Sequence, residues 1–167
     1  MKLNDILGED HLREWIRENS KPLGIGLQWV EPNIHGSSVG APDVIMKCDG
    51  VEIPIELKLL LRMKKGIKFT LRPSQRRYHH MGMKKGQKSA LLFVEGSSNN
   101  KLWLVRGDKI PLRDYPTHPA SGCEDGKCDM FLVSQSKSDI NIMMYLKHLL
   151  FIDDIFWTYT KRITGDV

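Results

Sequence analysis

Apolar residues recur along this chain with two different spacings, and the switches between them delimit its elements. Leu12, Trp15 and Ile16 share one face of a helical wheel while Glu14, Arg17 and Glu18 fall elsewhere, so the spacing predicts a helix over residues 7–19. Pro22, Gly24 and Gly26 end it, and residues 27–30 read as a short strand. After a glycine and serine loop at 35–40, two alternating runs, 43–48 and 51–58, flank Asp49-Gly50, a strong two-residue hairpin signal. A basic loop containing Gly66 leads to Pro73, which suits the first turn of a helix running to about residue 85 and capped by Gly86. Residues 90–94 are a wholly apolar run expected as a buried strand, and 102–105 form another. Residues 115–129 read as loop. Ser138 is expected to cap a long last helix, with Ile142, Tyr145, Leu146 and Leu149 on one face and Ile152, Ile155, Phe156 and Tyr159 continuing the stripe. The order α-β-β-β-α-β-β-α predicts an α/β or α+β sandwich around a mixed central sheet.

The hairpin carries the candidate chemistry. With Cys48 paired to Val51 across the turn, counting outward sets Asp43 opposite Glu56, their Cβ atoms about 5 Å apart. Lys58 projects from the same face by strand alternation. The reverse face, with Val44, Met46, Cys48, Val51, Ile53, Ile55 and Leu57, is apolar and expected to be core. Proline is normally confined to edges and bulges, so a bulge at Pro54 would move this register by one. Two opposed carboxylates repel unless something positive lies between them, and removing either charge is then expected to stabilise the metal-free hairpin. A hard cation fits that place, since Mg²⁺ uses one or two carboxylates with water and phosphate oxygens. The expected ligands are Asp43, Glu56 and the backbone carbonyl of Leu57, with Mn²⁺ able to substitute. Lys58 is placed to orient or deprotonate a water, or to stabilise a charged phosphoryl group.

Composition sharpens the choice of partner. The net charge is +5, yet residues 57–88 hold eleven Lys and Arg and no acid, leaving fourteen basic residues against all twenty acidic ones elsewhere. So one-sided a segment points to a polyanion. Lys64, Lys65, Lys68, Arg72, Arg76 and Arg77 are the candidate phosphate contacts. His35, His79 and His80 are expected in solvated or capping roles. No apolar run approaches the roughly 18 residues of a membrane span, and residues 1–14 hold no signal-peptide-like stretch. Three cysteines agree with a reducing compartment, so a cytoplasmic protein is expected. Cys123 and Cys128, with His118 upstream, are too loosely spaced for a zinc site and read as a reduced loop.

Pro42-Asp43 and Glu56-Leu57-Lys58 resemble the signature of the PD-(D/E)XK nuclease superfamily. The run Gly36-Ser37-Ser38-Val39-Gly40-Ala41-Pro42-Asp43 is similar to the loop before the aspartate in Holliday-junction resolvases and virus-type replication-repair nucleases. Leu71-Arg72-Pro73-Ser74-Gln75-Arg76-Arg77-Tyr78-His79 is similar to the helix start that follows their ExK strand, and the resemblance extends over about residues 9–105. It implies a restriction-endonuclease-like core, α-β-β-β-α-β, over residues 1–110, with a C-terminal loop and helix, 111–167, packed on the same domain. It implies a Mg²⁺-dependent DNA endonuclease acting on Holliday junctions or other branched DNA in recombination and repair. A small homodimer without a membrane is expected, in the host cytoplasm if the chain is phage-encoded. The alternatives are a flap- or nick-processing nuclease, a non-catalytic nucleic-acid-binding module of the same fold, and a basic interaction protein. The resemblance also places Gln75 beside the active centre, Ser37 and Ser38 against DNA, and a glutamate from the first helix in the catalytic set. Glu9 lies near the Leu12 and Ile16 face and is preferred there, with Glu14 as the alternative.

Overall fold

The computed structural model describes residues 1–31, 40–64, 66–111, 116–117, 130–134 and 138–158. Its elements are α1 (Glu9–Ser20), β1 (Gly26–Trp29), β2 (Val44–Cys48), β3 (Val51–Met63), β4 (Gly66–Lys68), α2 (Pro73–Lys84), β5 (Ala90–Gly96), β6 (Lys101–Arg106), β7 (Pro116–Thr117), β8 (Met130–Leu132), α3 (Asp139–Lys147) and α4 (Ile155–Thr158). The strands form one mixed sheet in the order β1-β2-β3-β5-β6-β8, with β4 on the far end of β3 and β7 on β4. Among the described strands only β3 and β5 run parallel, which demands a crossover, and α2 lies between them in the chain. Helices flank this sheet, so the fold is α/β with a mixed central sheet.

The Asp49-Gly50 turn sets the register. Asp49 (φ 49°) and Gly50 (φ 79°) both take the left-handed conformation that a type I′ turn requires. Cys48 pairs with Val51, Met46 with Ile53 and Val44 with Ile55, without a bulge. Pro54 stands opposite Ile45, at a position of the alternating ladder where its nitrogen turns away from β2. The pairing of β3 with β5 begins only at Ile55, so no bond is lost to the missing N–H. At the mouth of the hairpin the Asp43 carboxylate accepts the Leu57 N–H at 2.8 Å, where the next backbone bond of the ladder would form.

Strand alternation sorts β3 between two cores. Ile53, Ile55 and Leu57 join Val44, Met46, Leu92, Val94 and Leu104 in a core that α1 closes with Leu12, Trp15 and Ile16, and α3 with Met143 and Leu146. The opposite face holds Leu60 with Leu91, Phe93, Trp103 and Val105, covered by Phe69 and Leu71. Glu56 and Lys58 stand on this second face, beside Leu91 and Phe93 of β5. Val51, expected in the core, is exposed next to the turn.

Two expectations are corrected. The segment after Lys58 is no plain loop: β3 runs on to Met63 because Leu59, Leu60 and Leu61 continue its pairing with β5, and Met63 then pairs with Gly66 of β4. The last helix is not continuous. Ser138 does cap it, accepting the Asn141 N–H, but α3 passes into a π-helical turn at His148–Ile152 and stops at Asp153, whose backbone is extended (φ −102°, ψ 131°). A π turn rotates the phase of a helix. Ile152 and Ile155 are therefore exposed, while Leu150 and Trp157 are buried along with Phe156, which keeps its expected place; Tyr145, ahead of the turn, is exposed as well. Tyr159 lies outside the described residues. Among those residues no helix is long and apolar enough to cross a membrane.

Candidate active site

Three elements deliver side chains to the mouth of the hairpin. β3 supplies Glu56, fully buried, and Lys58, whose Nζ lies 3.1 Å from Glu56 Oε1. From the first turn of α1 Glu9 approaches, with Oε1 3.4 Å from the same Nζ. Four residues on, Arg13 donates through Nη2 to Asp43 Oδ1 at 2.7 Å. From the first turn of α2 Gln75 donates through Nε2 to Glu56 Oε1. Its own Oε1 accepts the backbone N–H of Arg72 at 2.9 Å, so the start of the helix orients the amide.

Five of the residues read from the sequence, Glu9, Asp43, Glu56, Lys58 and Gln75, thus meet at one place. Glu14 instead pairs with Arg17 on the outer side of α1. Two further participants are not in the sequence reading. Arg13 follows Glu9 by one helical turn and so shares its face, the signal by which it could have been found. His79 stands in the same relation to Gln75. It was expected in a solvated or capping role, but its ring is fully buried, with Nε2 3.9 Å from Glu56 Oε2. His80, by contrast, is half-buried with Nε2 2.9 Å from the Ile110 carbonyl oxygen, a backbone-capping contact.

The electrostatics explain how three carboxylates share this space. Burial opposes the charge on Lys58, but Glu56, Glu9 and Asp43 together outweigh it and hold its pKa above the ordinary lysine value. Lys58 is therefore a cation at neutral pH, suited to orienting or stabilising and not to removing a proton from water. The positive charge expected between the opposed carboxylates comes in part from the chain itself, as Lys58 and Arg13. The Arg13 pair bears on the expectation for Asp43: removing its charge forfeits an ion pair as well as a repulsion, so no gain in stability of the metal-free hairpin is expected from that change.

Three carboxylates against these two cations still leave one negative charge, and among the described residues Glu56 Oε2 is buried without a hydrogen-bond partner. Among the described residues no three His, Cys, Asp or Glu side chains gather as a cage. Asp43 and Glu56 form a two-carboxylate oxygen set, the donor chemistry and number Mg²⁺ takes when water and phosphate complete its shell. The residues present fit that ion.

The basic candidates divide. Lys64, Lys68, Arg72 and Arg77 are exposed, but Arg76 is buried. Arg76 donates through Nη2 to the Phe69 carbonyl at 3.0 Å, so it ties α2 to the segment before it and is not a phosphate contact. Helical spacing explains the miss, because adjacent arginines point about 100° apart. Arg76→Ala is expected to lower stability by about 2 kcal/mol, the scale of a buried charged hydrogen bond. Arg77→Ala is expected to leave the melting curve in place, and equal shifts for the two in thermal denaturation would refute the division. Ser37, Ser38, Lys65, His35, His118, Cys123 and Cys128 lie outside the described residues.

Near the site, Gly40 (φ 92°) returns the chain against the start of α2, where an added Cβ would lie 2.5 Å from the Ser74 carbonyl oxygen. Glycine is required there by conformation and by space.

No family model matches the chain, and no curated protein sequence matches it. Among solved structures it is similar to Hjc, a Holliday junction resolvase from the archaeal hyperthermophile Archaeoglobus fulgidus, with a TM-score of 0.40 and 14% identity over 57% of this chain and 74% of that one.

Proposed function

We propose that the chain is a divalent-metal-dependent DNA endonuclease of the PD-(D/E)XK type that hydrolyses phosphodiesters in branched DNA, Holliday junctions foremost. The observation that carries this reading is the buried Glu56 carboxylate. It sits beside Lys58, in a cluster where the carboxylates of Glu9, Asp43 and Glu56 outnumber the cations Lys58 and Arg13, next to the segment that holds the chain's positive excess. Burying a carboxylate costs several kcal/mol unless it is compensated, so such a group calls for a cation or a reaction.

Asp43 and Glu56, with the Leu57 carbonyl, would hold Mg²⁺ or Mn²⁺, which when bound polarises a phosphoryl oxygen and acidifies water. Gln75 keeps Glu56 turned toward the mouth of the hairpin. Lys58, charged and close to both Glu56 and Glu9, orients the attacking water and offsets charge growing on the phosphate. Arg72 caps the start of α2, where phosphates are favoured, Arg77 is exposed one turn in, Lys64 and Lys68 extend the path along the β3–β4 hairpin, and Lys65 is assigned to the same path. Ser37 and Ser38 precede Asp43 and are assigned to the same strand of DNA. We assign residues 1–110 to the nuclease core and 111–167 to the appended C-terminal part, and expect a cytoplasmic homodimer, since a junction offers two strands to cut.

The test is a panel of a four-way junction, a flap, a nicked duplex and a linear duplex, each incubated with protein and Mg²⁺. Preferential cutting of the junction is expected. Preference for the flap or nick would make this a replication-repair enzyme, and binding without cutting any of the four would leave a non-catalytic module. On the same DNA, neutralising Lys64, Lys65 and Lys68 together is expected to lower the slope of log affinity against log salt by about one unit per lost phosphate contact. Neutralising the exposed trio Lys2, Lys21 and Lys101 removes the same charge from elsewhere and is expected to change it far less. Equal slopes would take the DNA path away from this segment.

A further inference from the structure

We propose that His79 is a positioning residue for Glu56: its Nε2–H holds one oxygen of the carboxylate, with Ser89 bonded to the other ring nitrogen, so that the second oxygen faces Lys58 and Gln75. The inference rests on the nuclease reading above. Gln75 and His79 lie one turn apart on α2 and both reach Glu56, so the helix addresses the two oxygens of one carboxylate. Glu56, His79 and Ser89 are all fully buried.

Buried polar atoms are nearly always hydrogen-bonded, and those that are not call for an explanation. Among the described residues Glu56 Oε2 and His79 Nε2 are two such atoms, and they face each other at 3.9 Å. Closing that gap by about 1 Å, a small side-chain adjustment, makes a normal hydrogen bond. The other ring nitrogen, Nδ1, is hydrogen-bonded to Ser89 Oγ. An ionised carboxylate can only accept, so the bond to Glu56 requires the ring proton on Nε2. Nδ1 then accepts, and the Ser89 hydroxyl donates. The two oxygens of Glu56 thereby have different duties. Oε2 is held from within the core, while Oε1, touched by Gln75 and Lys58, is turned to the mouth of the hairpin. Outer partners of this kind fix a ligating carboxylate, and losing one typically weakens metal binding about 10–100-fold.

The test titrates Mn²⁺ calorimetrically into the metal-free protein without DNA. His79→Phe keeps the ring volume but has no donor, whereas His79→Gln offers an amide N–H. We expect His79→Phe to bind Mn²⁺ about tenfold or more weakly, His79→Gln to recover most of the loss, and affinity for DNA in chelator to be the same in all three proteins. Wild-type Mn²⁺ affinity in His79→Phe, beside a wild-type protein that does bind, would overturn the positioning role and leave the nuclease reading standing. No Mn²⁺ uptake by the wild type would overturn the nuclease reading, and this inference with it. Should His79→Phe fail to fold, the imidazole ¹⁵N shifts of the wild-type protein decide: a ring protonated on Nε2 is expected, and one protonated on Nδ1 overturns the assignment.

Discussion

Asp43→Asn and Glu56→Gln are each expected to cut Mg²⁺-dependent DNA cleavage by at least about a hundredfold, the scale on which a single electrostatic contributor to such a site is felt. Affinity for the same DNA in chelator is expected to stay the same. Both changes keep the shape of the side chain. The amide oxygen introduced at position 43 can still accept the Leu57 N–H, and the one introduced at position 56 can still accept from Gln75, so the hairpin mouth is expected to persist. What disappears is the charge that a cation requires. The chain's own arginine and lysine remain, and their two charges now balance the two carboxylates that are left, with no negative excess to hold a metal. Because Arg13 loses its ionic partner, Asp43→Asn is also expected to lower the melting temperature of the metal-free protein slightly. Full activity in either variant would remove the site from the account, whatever became of the fold.

Lys58→Met is expected to lower turnover by about a hundredfold or more while changing DNA affinity little, because a group that acts on charge developing in the transition state contributes to rate and not to binding. Methionine keeps an apolar stem of similar length and discards the ammonium. The pH dependence follows from the direction of the lysine's shift. Burial favours the neutral amine, but Glu56, Glu9 and Asp43 together favour the ammonium more, so loss of the proton moves to higher pH than for a free lysine. In the metal-free protein Lys58 is therefore expected to keep its proton through the neutral range and to lose it only above the ordinary lysine pKa, as its Nζ chemical shift followed against pH would show. A fall in affinity equal to the fall in rate would make Lys58 a phosphate contact only.

Much of the candidate site was legible because one short turn sets it. Asp49-Gly50 admits a two-residue hairpin and little else, and every pair out to Val44 and Ile55 follows from it. Pro54 looked like a threat to that count. It is harmless because of a fact about neighbouring strands: β5 begins to pair one residue later. Local spacing also chose Glu9 over Glu14, since a helix that buries Leu12, Trp15 and Ile16 can bring only one of those glutamates toward the sheet.

What stayed hidden depends on contacts between distant segments. Arg13 and His79 follow Glu9 and Gln75 by one helical turn, but what each touches is set from afar: one is paired by Asp43, thirty residues on, and the other is buried by the β3–α2–β5 crossover. Arg76 reads as one more cation of a basic run until the helix turns it inward to the Phe69 carbonyl. β3 outran its expected end because its last residues are paired by β5 and β4, and their own sequence reads as a basic loop. The last helix broke at a π turn that shifts the apolar stripe: of the residues expected to continue it, Phe156 is buried, but Ile152 and Ile155 are exposed and Leu150 and Trp157 are buried instead.

Asp43, Glu56 and Lys58 are proposed to cut DNA only with a divalent cation in place, which an order-of-addition experiment can decide. The wild-type protein is bound to a labelled four-way junction in chelator at excess protein, and Mg²⁺ is then added past the chelator's capacity. Bound, intact DNA is expected before the addition and a single-turnover rise of cleaved product after it. Cleavage at the same rate in chelator, or bound DNA that stays intact in both Mg²⁺ and Mn²⁺, would contradict it.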